Sequence, residues 1–331
     1  MRKVCEANHA GSFEKAAVLL RSLAGLDISA KQVQLLTEHV GGLLCQERDK
    51  ATVVFLAPGR RPSPPKTPIP LLVITADGGR VQTRQPSPDE KWKEDKLGVV
   101  YDALPSPERP GQDYEGPSPR TRSLVATMES WDKLGDHLSA LADRRGYAHA
   151  RQVMFVSDGA TSIRSQRERG FPNAAFVLDW GHATEHIHQD AIAGFGTTPA
   201  AEHWYEAQKD RLWKGHLDRF FQELAALSKA LGPPPKKPAA GDPRRILATD
   251  LDYFTTNRAG LDYPTFRKRG WPLGSGIVES TIKQVGKRVK GTEKHWSMAG
   301  VEETLQVVSH LIGNDGAWDA FWKRSPLTSM A

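Results

Sequence analysis

A chain of 331 residues that is 39% apolar can bury a sizeable core in one large domain or two, and its formal charge of +6 makes a polyanion such as DNA a sensible partner. Cys5 and Cys45 lie far apart without a C-x-x-C pair, which argues against a disulfide framework or a thiolate zinc finger and favours a reducing cytoplasm. No apolar run is long enough to cross a membrane, and the first residues lack the apolar segment of a signal peptide, so we expect a cytoplasmic protein with no membrane partner.

Two amphipathic helices are predicted near the start of the chain. They span 12–25 and 30–48, with Gly25 ending the first and Ser29 capping the second. The turn between them could belong to a DNA-binding helix-turn-helix. Because no recognition-helix pattern is visible, we favour the ordinary packing of a helical hairpin.

The region after residue 70 alternates short apolar runs with turns. Its order, β-β-β-α-β-α-β-α, is the ribonuclease-H-like arrangement of an α/β core, in which a three-strand antiparallel meander precedes parallel strands. We expect Asp77-Gly78-Gly79 to form a tight hairpin turn. Asp77 would then end the first strand and Asp158 the fourth, where they meet. The predicted elements are strands over 71–76, 80–84, 96–102, 152–157 and 174–178, a proline-rich loop over 104–120 and a helix over 128–145.

A long helical stretch divides this core. Residues 183–231 carry an apolar stripe at helical spacing, and five prolines in 232–243 then interrupt the helices. We interpret this stretch as an all-helical insertion before the final catalytic helix. The predicted boundaries are an N-terminal helical region, possibly DNA-binding, over 1–57, a proline-rich linker over 58–70, the first part of the core over 71–190, the insertion over 191–265 and the last part of the core over 266–331.

Three carboxylates have the types and positions of a two-metal phosphoryl-transfer site. Phosphodiester cleavage needs charge neutralisation at the attacking and leaving oxygens, which two divalent ions about 3.5–4 Å apart supply. Asp77 would bridge both ions, Asp158 would bind one and Glu279 the other, and oxygen ligands favour Mg²⁺ or Mn²⁺ over zinc. Taken singly, each aspartate is more typical of an Asp-Gly turn, so the hypothesis depends on convergence.

The helix that carries Glu279 is basic. At about 100° per residue, Glu279 shares a face with three lysines, while apolar residues form a separate stripe. The lysines could follow DNA phosphates, or this face could be an ordinary solvated surface with a Glu–Lys pair. Trp296 could stack on an unpaired base, although a buried aromatic is more common. The apolar stripe is Val278, Ile282, Val285 and Val289, and the predicted DNA-binding residues are Lys283, Lys287, Arg288, Lys290, Lys294 and Trp296.

The segment that starts at Asp179 has two interpretations. His182-x-x-Glu185-His186 matches a zinc-peptidase pattern, with Glu185 as the base, but so short a motif also arises by chance. Alternatively, Asp179 ends a strand beside the one that ends in Asp158, which aims Asp179 and His182 into the pocket of the acids. We favour the second interpretation.

Four motifs stand in order along the chain, over 76–84 (ADGGRVQTR), 156–160 (VSDGA), 178–187 (LDWGHATEHI) and 274–297 (GSGIVESTIKQVGKRVKGTEKHWS). Together they resemble bacterial insertion-sequence DDE transposases of the ISKra type, which are related to Mutator-like transposases, over about residues 12–310. The resemblance implies a ribonuclease-H-like catalytic core. It also implies a catalytic triad of Asp77, Asp158 and Glu279, with Asp179 and His182 as auxiliary catalytic residues.

The activity that the resemblance implies is DNA transposition. Metal-activated water would cleave the transposon end, and the liberated 3′-hydroxyl would attack target DNA, with His182 hydrogen-bonded to a phosphate oxygen. Two ends must be held together, which implies a homodimer or a larger synaptic complex on the nucleoid of a bacterial cell. Relatives are expected to carry more sequence before the helical hairpin. A truncated, non-catalytic DNA-binding remnant therefore stays open as an alternative, as does, less favoured, the zinc peptidase.

Overall fold

A computed structural model describes residues 1–60, 62, 67–84, 91–291 and 294–324. Its centre is a five-stranded sheet in the order β3-β2-β1-β4-β5. β2 pairs antiparallel with β1 and with β3, whereas β4 pairs parallel with both β1 and β5. This mixed α/β topology is consistent with the predicted ribonuclease-H-like fold. The strands are β1 Leu71–Gln82, β2 Trp92–Ala103, β3 Pro119–Thr127, β4 Val153–Ser157 and β5 Ala175–Leu178.

The predicted turn at Asp77-Gly78-Gly79 is wrong. β1 runs straight through these residues, and each pairs with a residue of β2, as Asp77 does with Leu97. The glycines lie beside charged side chains of β2, since a Cβ on Gly78 would lie 2.7 Å from Glu94 Oε1, the mobile end of that side chain. The third strand of the meander is β3, which begins inside the stretch predicted as a proline-rich loop.

Three helices precede the sheet: α1 Arg2–Asn8, α2 Phe13–Ala24 and α3 Ala30–Leu56. Gly25 ends α2 in the left-handed conformation at φ +64°, and Ser29 starts α3 with a capping box, both as predicted. α3 continues past the predicted end at residue 48. The predicted linker over 58–70 lies partly outside the described residues, and the domain boundaries stay predictions.

Helices cover both faces of the sheet. One face, which includes Leu72 and Phe155, packs under α4 Trp131–Arg144 and α5 Thr161–Gly170. The other face packs under helices that lie between residues 180 and 312. The helix Met298–Ile312 also contacts α3. In the described part of the chain, no helix is long and apolar enough to cross a membrane. The helices after β5 are α6 Trp180–Phe195, α7 Pro199–Lys214, α8 Leu217–Leu231, α9 Pro243–Thr256, α10 Tyr263–Arg269, α11 Gly276–Val289, α12 Met298–Ile312 and α13 Ala317–Arg324.

Candidate active site

Strand register places three aspartates at one level of the sheet. Thr75 pairs with Val156 and Ser157 pairs with Leu178. Extending each ladder towards its carboxyl end sets Asp77 beside Asp158, and Asp158 beside Asp179, at the strand spacing of about 4.8 Å. Asp158 and Asp179 directly follow their strands, as predicted, but Asp77 lies within β1.

Three other candidate site residues act on the charge of Asp77. Its carboxylate is half-buried, and its Oδ1 accepts a hydrogen bond of 2.6 Å from the Gly78 amide. Burial, together with the charges of Asp158 and Glu279, raises the pKa of Asp77 to about 6, although the Gly78 bond and His182 oppose the shift. The groups around Asp77 are thus mostly acidic, which is the charge pattern that a cation would balance.

Asp158 is held by the turn that follows β4. Its Oδ1 accepts a hydrogen bond of 2.9 Å from the Ala160 amide, and the Tyr253 hydroxyl donates to its backbone carbonyl at 2.7 Å. Gly159 makes the turn possible, since it has a φ of +78° and a Cβ there would lie 2.8 Å from Leu178. Burial, then the charges of Asp158 and Asp179, raises the pKa of Tyr253, so this residue remains a hydroxyl donor.

Asp179 joins three elements. It follows β5 and caps α6, where its Oδ1 accepts the His182 amide at 2.9 Å. Its Oδ2 accepts both the backbone amide and the hydroxyl of Ser275, the latter at 2.6 Å, just before α11 begins. The side chain is only 2% exposed.

Glu279 and His182 complete the cluster. Glu279 lies in the first turn of α11, and Ser275 Oγ is 3.3 Å from its Oε1. One potential ligand atom each from Asp179, His182 and Glu279 lies within 4.8 Å of the other two. Two of these three potential ligands are carboxylates, and carboxylate oxygens suit a hard divalent cation such as Mg²⁺ or Mn²⁺.

The basic helix divides into an exposed and a buried part. Lys283 and Lys287 are exposed, and three of the four predicted stripe residues, Val278, Val285 and Val289, are fully buried. Lys290 is half-buried. It reaches over β1, where a Cβ on Gly79 would lie 2.9 Å from its Nζ.

The structure places Arg288 and Trp296 inside the protein. Arg288 is 1% exposed, donates to Asn8 Oδ1 at 2.6 Å and stacks on Phe13, while Trp296 is 6% exposed and donates to the Val289 carbonyl. Arg288 lies three residues after Val285, so its position on the helical wheel already indicated the apolar side. We leave both residues out of the DNA-binding surface proposed below. Lys294, also predicted to bind DNA, donates to the Lys287 carbonyl at 2.9 Å.

The zinc-peptidase interpretation finds no support in the placement of His186. Its Nδ1 lies 3.0 Å from Asp250 Oδ1, and its ring stacks on Tyr253 at 4.1 Å. Where the chain is described, the group that could share an ion contains His182 with Asp179 and Glu279, and His186 is not part of it.

Two features escaped the sequence analysis. Ser275 lies in the glycine-rich motif before α11. A serine at this position does not predict a hydrogen bond to Asp179, which is 96 residues earlier in the sequence. Asp190 and Asp250 form a second acidic pair, with exposures of 0% and 4%, between α6 and α9. The helical spacing of Asp190 with the buried Ala183 and Ile187 could have shown that it faces inward.

Comparison with known proteins gives little further guidance. No family model matches the chain, and no curated protein matches it. Among solved structures, the Drosophila P element transposase strand transfer complex is similar, with 10% sequence identity over 94% of this chain and 92% of that chain, at a TM-score of 0.37. Similarity at this level does not establish a shared function.

Proposed function

We propose that this protein is a DNA transposase that cleaves and joins DNA by a DDE mechanism. The observation that carries the proposal is an acidic cluster built from distant parts of the sequence: ligand atoms of Asp179, His182 and Glu279 lie within 4.8 Å of one another. The charges of Asp158 and Glu279 also act on Asp77, which supports a site shared by these acids. Half-buried carboxylates that repel one another are costly unless a cation binds them, so selection for such a cluster favours a metal-dependent reaction.

The chain supplies ligands, orientation and charge. Asp77, Asp158 and Glu279 would hold two Mg²⁺ or Mn²⁺ ions, which when bound activate water and neutralise the charge on the scissile phosphate. His182 is about one-third exposed, so its imidazole can donate a hydrogen bond to a phosphate oxygen. Lys283 and Lys287 extend from the same helix as Glu279 into solvent, where they can contact the phosphates beside the cleavage position.

The substrate in this proposal is DNA that carries the transposon ends, and the second substrate is target DNA. Joining two ends calls for a homodimer or a larger synaptic complex in a bacterial cell, an expectation that rests on the resemblance of the four motifs. Light scattering of the protein with and without end DNA measures the assembly directly. A particle of one chain on paired ends would contradict it.

The test of the function is cleavage of DNA that flanks the gene. With Mg²⁺ or Mn²⁺, the purified protein should nick or cut this DNA at a fixed position, and added target DNA should become joined to the 3′ end. Asp77→Asn should abolish both products, whereas Asp252→Asn, an exposed acid on α9, should not. Specific binding without cleavage by the wild type would instead identify a non-catalytic DNA-binding protein.

A further inference from the structure

The Asp179 carboxylate receives three hydrogen bonds from two helices. One comes from the His182 amide at the start of α6, and two come from the amide and hydroxyl of Ser275 at the start of α11. A fourth bond lies directly beside them, because the Trp180 amide donates to the Leu273 carbonyl at 2.8 Å. The two helix starts are therefore tied together at this point.

Two glycines lie next to the Asp179 carboxylate. A Cβ on Gly181 would lie 3.0 Å from Asp179 Oδ1, and a Cβ on Gly274 would lie 3.5 Å from Oδ2. Backbone from both helices thus approaches the carboxylate closely. Its two oxygens already accept bonds from the protein, which fixes the directions of the lone pairs that remain.

The hydroxyl of Ser275 lies between two carboxylates and has one proton. It is 2.6 Å from Asp179 and 3.3 Å from Glu279, so the proton goes to Asp179. Ser275 therefore does not bind the Glu279 carboxylate strongly. Glu279 is held in place by its backbone while its oxygens stay available to a cation.

We propose that Asp179 is a positioning residue and not a metal ligand: it fixes the start of α11, through Ser275, so that Glu279 faces Asp77 and Asp158. The catalytic consequence rests on the proposed function, whereas the structural tie does not. In this proposal Asp179 orients the helix that carries Glu279 and contacts His182 only through the backbone amide.

The first experiment measures the tie without any reaction. Hydrogen exchange at the amides of residues 275–279 should become at least tenfold faster in Ser275→Ala, and faster still in Asp179→Ala, while exchange in α12 stays unchanged. Ser275→Thr keeps the hydroxyl and should restore most of the protection. Unchanged exchange in both alanine variants would overturn the proposal.

The second experiment separates positioning from metal ligation. Mn²⁺ titrations followed by electron paramagnetic resonance should give the same number of bound ions in Asp179→Ala as in the wild type, with weaker affinity. A ligand role predicts the loss of one ion from Asp179→Ala and normal binding by Ser275→Ala, and that result would refute positioning. If Asp179→Ala does not fold, Ser275→Ala and Ser275→Thr still decide between the two roles.

The third experiment is a double-mutant cycle on DNA cleavage. We expect kcat to fall about tenfold in Ser275→Ala and about a hundredfold in Asp179→Ala, with little change in KM for DNA. The double variant should be no slower than Asp179→Ala, because both residues act through one contact. Multiplying effects would contradict the shared contact, whereas a wild type without cleavage contradicts the proposed function and leaves the exchange result standing.

Discussion

Helix α6 takes part in two acidic clusters that handle charge in opposite ways. The site cluster, defined by Asp77, Asp158, Glu279, Asp179 and His182, lies at an edge of the sheet where most of its members reach solvent. The sealed pair, Asp190 and Asp250, lies two turns further along α6 and packs against α9. His186 contacts Asp250 at 3.0 Å from the more exposed side of the pair.

The difference between the clusters lies in what balances the negative charge. Burial, then the neighbouring Asp250, raises the pKa of Asp190 well above its ordinary value, so Asp190 stays protonated at neutral pH. Asp77 is less buried, and its pKa of about 6 leaves it ionised at pH 7.5. A proton neutralises Asp190, whereas Asp77 keeps a charge that a cation from solvent can balance. Solvent access therefore distinguishes the structural acids from the proposed catalytic acids.

The largest expected effect is on cleavage. Asp77→Asn or Asp158→Asn should lower the rate at least a thousandfold, because each removes a charge that the proposed ions require. Asp190→Asn mimics a carboxyl that is already neutral and should change the rate less than about threefold. Single-turnover cleavage measures all three. Equal losses of cleavage rate in the three variants would contradict the conclusion that the site cluster and the sealed pair have different roles.

Arg288 extends the comparison to buried cations. Arg288→Ala should lower the free energy of unfolding by about 2–4 kcal/mol, because it leaves Asn8 Oδ1 without its donor and a gap between Phe13 and Trp296. Arg288→Met fills part of the gap and should cost less. Urea denaturation provides the measurement. A change below about 0.5 kcal/mol would mean that Arg288 is not part of the packed interior.

Asp77 gives a prediction in which losing the proposed catalytic acid stabilises the fold. Its pKa is raised from 3.8 when unfolded to about 6 when folded, so the folded state binds more protons between these values. Stability therefore falls as pH rises from about 4 to 6. Asp77→Asn should gain about 1–2 kcal/mol at pH 7.5, after allowance for solvent screening, and nothing at pH 3.5.

Thermal melting without divalent ions measures whether Asp77→Asn is more stable than the wild type at pH 7.5. Two controls test the explanation of that difference. Mn²⁺ should raise the Tm of the wild type more than that of Asp77→Asn, because the ion replaces the missing positive charge. Asp190→Asn should instead flatten the fall in stability that continues above pH 6, since the pKa of Asp190 is raised further than that of Asp77. A lower Tm for Asp77→Asn at pH 7.5 would show that its charge is already compensated within the protein.

The smallest effect concerns DNA affinity. Lys283→Ala and Lys287→Ala should each reduce the slope of log K against log salt by about 0.9 for every phosphate that the lysine neutralises, with no change in Tm. Arg288→Met, measured under conditions where it stays folded, should leave that slope unchanged. Fluorescence anisotropy with a labelled duplex between 50 and 200 mM salt would detect the difference. Identical slopes in all variants would remove α11 from the proposed DNA surface.

The sequence predicted correctly that Asp158 and Asp179 follow buried strands. Asp158 and Asp179 follow short apolar runs that had to be buried strands, so their meeting at the carboxyl edge was foreseeable. The turn predicted at Gly78 failed because turn propensity is a local rule, whereas pairing with β2 and the nearby Glu94 are tertiary. Arg288 was assigned to DNA for its charge, although its packing partners Asn8 and Phe13 are far away in sequence.

The order in which the residues are synthesised has a consequence for when the site can form. Asp179 accepts a hydrogen bond from Ser275, which lies 96 positions later in the sequence. Asn8 accepts one from Arg288, which lies 280 positions later. Both contacts join residues that are distant in sequence, so this part of the molecule can close only after α11 has been synthesised. On the proposed function, a nascent chain that ends before α11 lacks Glu279 and cannot complete the three-acid site.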